Sequence, residues 1–314
     1  MVPFVDMRRS LLTAGSLGAA LVCTLACGDD GGGDMNPPQE SVSDGTTDRF
    51  GIVDLSVAAG TGVAGFDGDA LADRWTVRHD RLLVAVGTFR FTAADGAAVT
   101  HEASGVVDLL QASSAAFLAA VNVPVGSSEV GFSLPVATSR FSAIGPTSAA
   151  DLELMAGGGY SIYIEGTITR KDGMTCTGDA PPVCTPAPEV RFRWGVPVGL
   201  DIDDCPTLAL GEGDMIEQVL TLTGDRWFRT DFQDDAEPTL RAQWIANADT
   251  DRDGETTLEE LERLPAATLL RSDLGYDLRR AAPIAVTTAR DFVEAQVRMM
   301  ARDAFGGCKT ASSL

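Results

Sequence analysis

Between Asp249 and Glu260 the chain sets acidic side chains at alternate positions. Asp249, Asp251 and Asp253 come first, Gly254 follows them, and Glu260 closes the dodecad. Aspartates spaced two apart can turn their carboxylates inward from one tight loop, and a glycine at the bend admits a positive φ at no steric cost. Hard carboxylate oxygens gathered in this way suit calcium, which takes six to eight oxygen ligands at ~2.3–2.6 Å. The blander reading of the same residues is an acidic, solvated loop between two helices.

No other cluster of residue types points to chemistry as clearly. The sequence has no Gly-x-Ser-x-Gly elbow, no phosphate-cradling glycine loop and no His-Glu-x-x-His. A Ser-His-Asp triad would have to use His79 or His101, the only histidines, and both fall on strand-like segments where a surface or edge position is expected. Acidic pairs such as Asp203-Asp204 and Asp234-Asp235 are plentiful, so a glycosidase-like acid and base could be built, but nothing singles one pair out. The formal net charge of −21 repels nucleic acid and anionic membrane surfaces and suits divalent cations. It also simply keeps a protein soluble.

The chain has six cysteines. Cys23 and Cys27 lie near the N-terminus, which leaves Cys176, Cys184, Cys205 and Cys308. An even remainder in an exported protein reads as disulfides. Cys176 and Cys184 flank a Pro-rich loop and suggest a local bridge. Cys205 and Cys308 would then tie the middle of the chain to its end. With no Cys-x-x-Cys spacing and only two histidines, a zinc or iron–sulfur site is not expected.

Export is read from the N-terminus. Arg8 and Arg9 precede a short apolar run from Leu11 to Ala26, too short for an ordinary spanning helix. Thr24-Leu25-Ala26-Cys27 resembles the lipobox of bacterial lipoproteins, with Thr24 where Leu is usual, and this implies lipidation at Cys27 after removal of residues 1–26. Loss of that leader, with Arg8, Arg9 and Asp6, makes the mature chain one charge more negative. Residues 27–48 are rich in Gly, Asp, Pro and Ser, as expected of a flexible tether.

From 49 to 224 the pattern is strand-like. Alternation is clearest at Tyr160, Ile162, Ile164 and Ile168, and at Val190, Phe192 and Trp194 between Arg191 and Arg193. Short helices are expected near Ser113–Val121 and near Ser148–Ala156, the second capped by Thr147 or Ser148 and stopped by Gly157-Gly158-Gly159. The run 216–222 reads as the last strand. From 225 to 314 the pattern turns helical, with amphipathic spans at Glu237–Ala248, Leu258–Leu264 (stopped by Pro265), Leu269–Arg279 and Thr287–Ala304. The expected fold is therefore mainly β with a C-terminal α module, an antiparallel β-sandwich followed by a helix-loop-helix and a terminal helix.

The segment 249–260 resembles the EF-hand calcium loop, and an entering helix precedes it. By that resemblance the ligands are Asp249, Asp251, Asp253, the backbone carbonyl of Glu255, Thr257 directly or through water, and both oxygens of Glu260. Leu261 matches the usual apolar anchor. Thr256 departs from the family, which carries Ile, Val or Leu where paired loops form a small β-bridge. With no second loop and an exit helix cut short at Pro265, the resemblance implies a solitary structural or extracellular-type site with affinity in the ~10⁻⁴–10⁻³ M range.

Further motifs extend the likeness. Asp73-Arg74-Trp75-Thr76-Val77, Val106-Val107-Asp108-Leu109-Leu110 and Val123-Pro124-Val125-Gly126 resemble β-sandwich lipoprotein domains of the DUF4382-like group. Gly158 to Gly166 and Thr223-Gly224-Asp225-Arg226-Trp227-Phe228, placed before the acidic loop, are similar to EF-hand lipoproteins of predatory soil and marine δ-proteobacteria. Those relatives carry a His near the place of Arg226 and this chain does not, so no metal chemistry is carried over there. Neither resemblance implies an activity.

These observations lead us to expect a calcium-ion-binding, lipid-anchored cell-envelope protein with a non-enzymatic structural or binding role. Gly28 lacks the Asp that often retains lipoproteins in the inner membrane, which favours the outer membrane. The expected partners are the membrane, through the anchor, and calcium; nucleic acid is not one. An envelope hydrolase acting on glycans or peptides is an alternative. Another is a surface adhesion module presenting Trp75, Trp194 and Trp227 on an open sheet face, although these rings more often belong to a core.

Overall fold

The computed structural model describes residues 49–112, 115–177, 182–233 and 237–313, which fall in one compact unit. The expected leader, Cys27, the tether and the Asp234-Asp235 pair lie outside the described residues.

Strands β1 (Phe50–Ala59), β2 (Gly65–Phe66), β3 (Thr76–Ala93), β4 (Ala98–Asp108), β5 (Ala116–Pro124), β6 (Gly126–Leu134) and β7 (Ser142–Ile144) lead to helix α1 (Ala149–Gly158). Then come β8 (Ile162–Thr169), β9 (Met174–Thr177), β10 (Val183–Pro186), β11 (Glu189–Val196), β12 (Leu200–Asp203), β13 (Leu208–Leu210) and β14 (Met215–Leu222). The last third holds α2 (Gln243–Ala248), β15 (Glu255–Thr257), α3 (Leu258–Arg263), α4 (Ala266–Leu269), α5 (Ala289–Asp303) and β16 (Thr310–Ser313). The protein is mainly β, with several sheets and a C-terminal helix.

A three-stranded sheet has β1 between β5 and β14. A larger sheet runs β15-β11-β8-β3-β6-β12-β16, with β2, β4, β7 and β13 attached, and β9 and β10 form a separate hairpin. Most pairs are antiparallel as expected, but β1 with β14, β4 with β7, and β11 with β15 are parallel. Val53, Leu55 and Val57 from the small sheet and Val84, Phe89 and Phe132 from the large one enter the same hydrophobic cluster. That cluster continues without a break into Trp244, Phe292, Val293 and Met300 of the helical third.

β3 explains its own apolar run. Leu82, Val84 and Val86 face the main core, while Leu83 and Ala85 face a second cluster with Val106, Met155 and Tyr163. A strand covered on both faces has no need to alternate. The helix above that second cluster is α1, capped at Ser148, whose hydroxyl accepts from the Asp151 amide, and closed by Gly159 at φ +62°.

Three helical expectations need correction. The span Ser113–Val121 is not helical where it is described: β5 occupies it, with β-branched Val121 and Val123 buried as it pairs along β1. The span Glu237–Ala248 is helical only from Gln243. The residues before it are irregular, with Leu240 in a single bridge to Arg229, and Asp73 caps the helix from far away by accepting from the Ala242 and Gln243 amides, each at 2.8 Å. The span Leu269–Arg279 holds only the end of α4 and a single 3₁₀ turn stopped by Gly275 at φ +89°. The terminal helix stands as expected, from a capping box of Thr288 and Asp291.

Both disulfides join the expected partners. Cys176–Cys184 spans directly opposite residues of the β9–β10 hairpin, and Cys205–Cys308 links the chain after β12 to the segment after α5.

Candidate metal centre

Helix α2 ends at Ala248, and the next residue, Asp249, is buried at 3% exposure. The chain then turns tightly, with Arg252 at φ +64° and Gly254 at φ +86°. A side chain at 254 would meet no atom within 4 Å, so the backbone angle rather than crowding demands glycine there. Local bonds shape the turn. The Gly254 amide donates to Asp249 Oδ2 (3.1 Å), the Asp253 amide to Asp251 Oδ1 (3.2 Å), and the Glu255 amide to Asp253 Oδ1 (2.8 Å).

The large sheet holds the loop at its edge. β15 pairs in parallel with β11, and the Arg191 amide donates to the Gly254 carbonyl (2.9 Å). Trp194 Nε1 donates to the Thr256 carbonyl (3.1 Å), and the Thr256 hydroxyl, fully buried, donates to the Ile245 carbonyl (2.8 Å). Arg193 pairs with the Glu255 carboxylate at 2.6 Å. Thr256 therefore has a structural use of its own. It ties loop to sheet and to α2, where the resemblance would have paired it with a second loop.

Asp249, Asp251 and Asp253 come together. One carboxylate oxygen from each lies within 4.8 Å of the others, and among the described residues no other three acidic, His or Cys side chains gather in this way. Asp251 and Asp253 are exposed, but Oδ1 of Asp249 is buried and accepts no hydrogen bond. Burial pushes the Asp249 carboxyl above the usual carboxylate range. The Gly254 and Arg252 amides pull it partly back, and the charges of Glu260 and Asp253 push it up again.

Glu255, expected to offer its backbone carbonyl, lies on β15, and its side chain pairs with Arg193. The side chains of the other two expected ligands, Thr257 and Glu260, are bonded within the loop. Glu260 Oε1 accepts from the Thr250 amide (3.0 Å), and Oε2 accepts from the Thr257 amide (2.9 Å). Thr257 caps α3 in return, its hydroxyl accepting from the Glu260 amide. Glu260 thus spans the base of the loop as a capping residue, close enough to act on Asp249 electrostatically.

His79 and the three tryptophans considered for chemistry or adhesion are buried. His79 is not at a surface or edge. It is buried, donates from Nδ1 to the Val63 carbonyl (2.9 Å), and lies against Phe192 and Phe228. Burial lowers its pKa below the ordinary 6.5. Asp203 pairs with Arg90. Trp75, Trp194 and Trp227 are fully buried, so they present no aromatic face for adhesion. The sequence reading missed Arg193, Trp194 and Asp73 as supports. The alternation of β11 marked which way Arg193 and Trp194 point, but nothing local marked what they would meet.

No protein-family model matches the sequence, and the search of curated proteins finds no match. Among solved structures, a chain described as "MbnP from Methylosinus trichosporium" is similar at 14% identity and a TM-score of 0.24, over 74% of this chain and 90% of that one. A likeness that weak carries no argument about function.

Proposed function

We propose that the loop 249–260 binds one calcium ion, and that the protein is a lipid-anchored, non-enzymatic component of the cell envelope in which that ion fastens the helical third to the edge of the large sheet. The observation that carries this reading is the buried, unbonded Oδ1 of Asp249 beside two further carboxylates. A buried carboxylate oxygen that accepts no hydrogen bond is costly, and a cation among several carboxylates offsets that cost. The ligands would be Asp249, Asp251, Asp253, the Glu255 carbonyl, Thr257 and Glu260. Calcium would supply positive charge and no reaction step. Glu260 would exchange its bonds to the Thr250 and Thr257 amides for the ion, so binding acts directly on the cap of α3. Asp251 and Asp253 are exposed, and the loop is held by one sheet edge rather than by a partner loop. These features fit a weak site in the ~10⁻⁴–10⁻³ M range.

Export is supported by the two disulfides, which persist in oxidising compartments. Calorimetric titration of the full chain with calcium tests the proposal. One ion per chain is expected, with binding lost in Asp249→Asn. No heat and no thermal shift at millimolar calcium would overturn it.

A further inference from the structure

We propose that a trough on the outward face of the large sheet, between Tyr160 and the start of α3, is a saccharide-binding site. The trough has a volume of about 580 Å³, in the range of small-molecule sites. Leu154 of α1, Gly195 of β11, and Thr257 and Glu259 at the start of α3 are among the residues that line it. Two glycines allow Tyr160 to lie as it does. A Cβ at Gly195 would fall 2.3 Å from its Cζ, and one at Gly158 would fall 2.1 Å from its Cε2. The ring therefore rests on the bare backbone of β11, beside Tyr163, with ring centroids 5.9 Å apart and planes tilted by 32°.

Around this aromatic floor stand groups of both hydrogen-bonding signs. Arg193 is 54% exposed and spends one nitrogen on Glu255, leaving further donors toward the trough. Glu259 is 85% exposed and brings acceptors. A pyranose has an apolar C–H face and a rim of hydroxyls that both donate and accept, which matches an aromatic ring bordered by a guanidinium and a carboxylate. An apolar peptide anchor would want closed apolar walls, and this trough is open and bordered by charge. The trough borders the calcium loop at Thr257, one of the proposed ligands, while Tyr160 and Glu259, the residues tested below, lie outside that ligand set.

The test is titration of the full chain, in calcium-containing buffer, with cellotetraose, maltotetraose and chitotetraose, and with decaproline as a peptide probe. At least one saccharide is expected to bind. Tyr160→Ala should weaken it by about tenfold or more, as loss of a central aromatic contact does. Glu259→Ala, on an exposed helix face, should weaken it by a smaller factor with an unchanged unfolding midpoint, which separates loss of binding from loss of fold. The proposal is overturned if no saccharide binds at millimolar concentration, if binding survives both substitutions, or if decaproline alone binds.

Discussion

The Asp249 carboxylate is buried beside Asp251, Asp253 and Glu260, and its Oδ1 accepts no hydrogen bond. Asp249→Asn keeps an acceptor for the Gly254 amide and replaces the unbonded oxygen with a donor that its acidic neighbours can accept from. In chelator the variant should be at least as stable as the parent, by on the order of 1 kcal/mol. In calcium the order should reverse. The parent should gain ~1.4–2.7 kcal/mol at ~10–100-fold excess over Kd while the variant gains nothing. Thermal unfolding of both proteins in both buffers checks this. His79 makes a separate prediction. Its folded-state pKa lies below the unfolded value of 6.5, so the unfolded chain takes up the proton first as pH falls. Its contribution to stability is complete above that value and is lost progressively below it. His79→Phe should therefore lose less stability than the parent between about pH 7 and about pH 5, as read by denaturant melts. At this scale the three aspartates and Gly254 were legible because their spacing is local. The burial of Asp249 and the capping role of Glu260 were not, since both depend on what the loop packs against.

At the scale of elements the loop is a joint between α2, β11 and α3, and Thr256 holds it with one hydroxyl. Thr256→Val keeps the shape and removes that bond, leaving the Ile245 carbonyl without its donor. A loss of about 1 kcal/mol is expected, measured by chemical denaturation. The same variant should weaken calcium binding without abolishing it, since no proposed ligand changes. The strands with clear alternation, β8 and β11, and the capped helices α1 and α5 were readable because burial on one face imprints a period on the sequence. β5 was not. Its alanines suit a helix, and pairing along β1 makes the span a strand. The start of α2 was equally hidden, because its cap is Asp73, contributed from far away in the chain.

Across the whole molecule, the end of the chain returns to the β body. Cys308 bonds to Cys205, and Asp303 at the end of α5 pairs with the buried Arg226. Through that pair the buried Arg226 holds the end of the terminal helix. Replacing Cys205 and Cys308 with serine reopens a loop of 103 residues and should cost about 2–5 kcal/mol, read as a lower denaturant midpoint. Cys27→Ser should move the protein from the membrane fraction to the soluble one, and retention in the membrane fraction would remove the anchor from the proposal. The cysteine pairing was legible from parity and position. The continuous core that joins the helical third to the sheets was not, because a change of period along the sequence marks a change of element type and not a boundary in the packing.

The most direct test of calcium binding is a crystal structure of the full chain grown in millimolar calcium, with the ion located by its anomalous signal. One peak is expected among Asp249, Asp251 and Asp253, with both oxygens of Glu260 turned from the Thr250 and Thr257 amides to the ion. A map with no peak there, with Glu260 still on those amides and the Asp249 oxygen still unbonded, would contradict the claim.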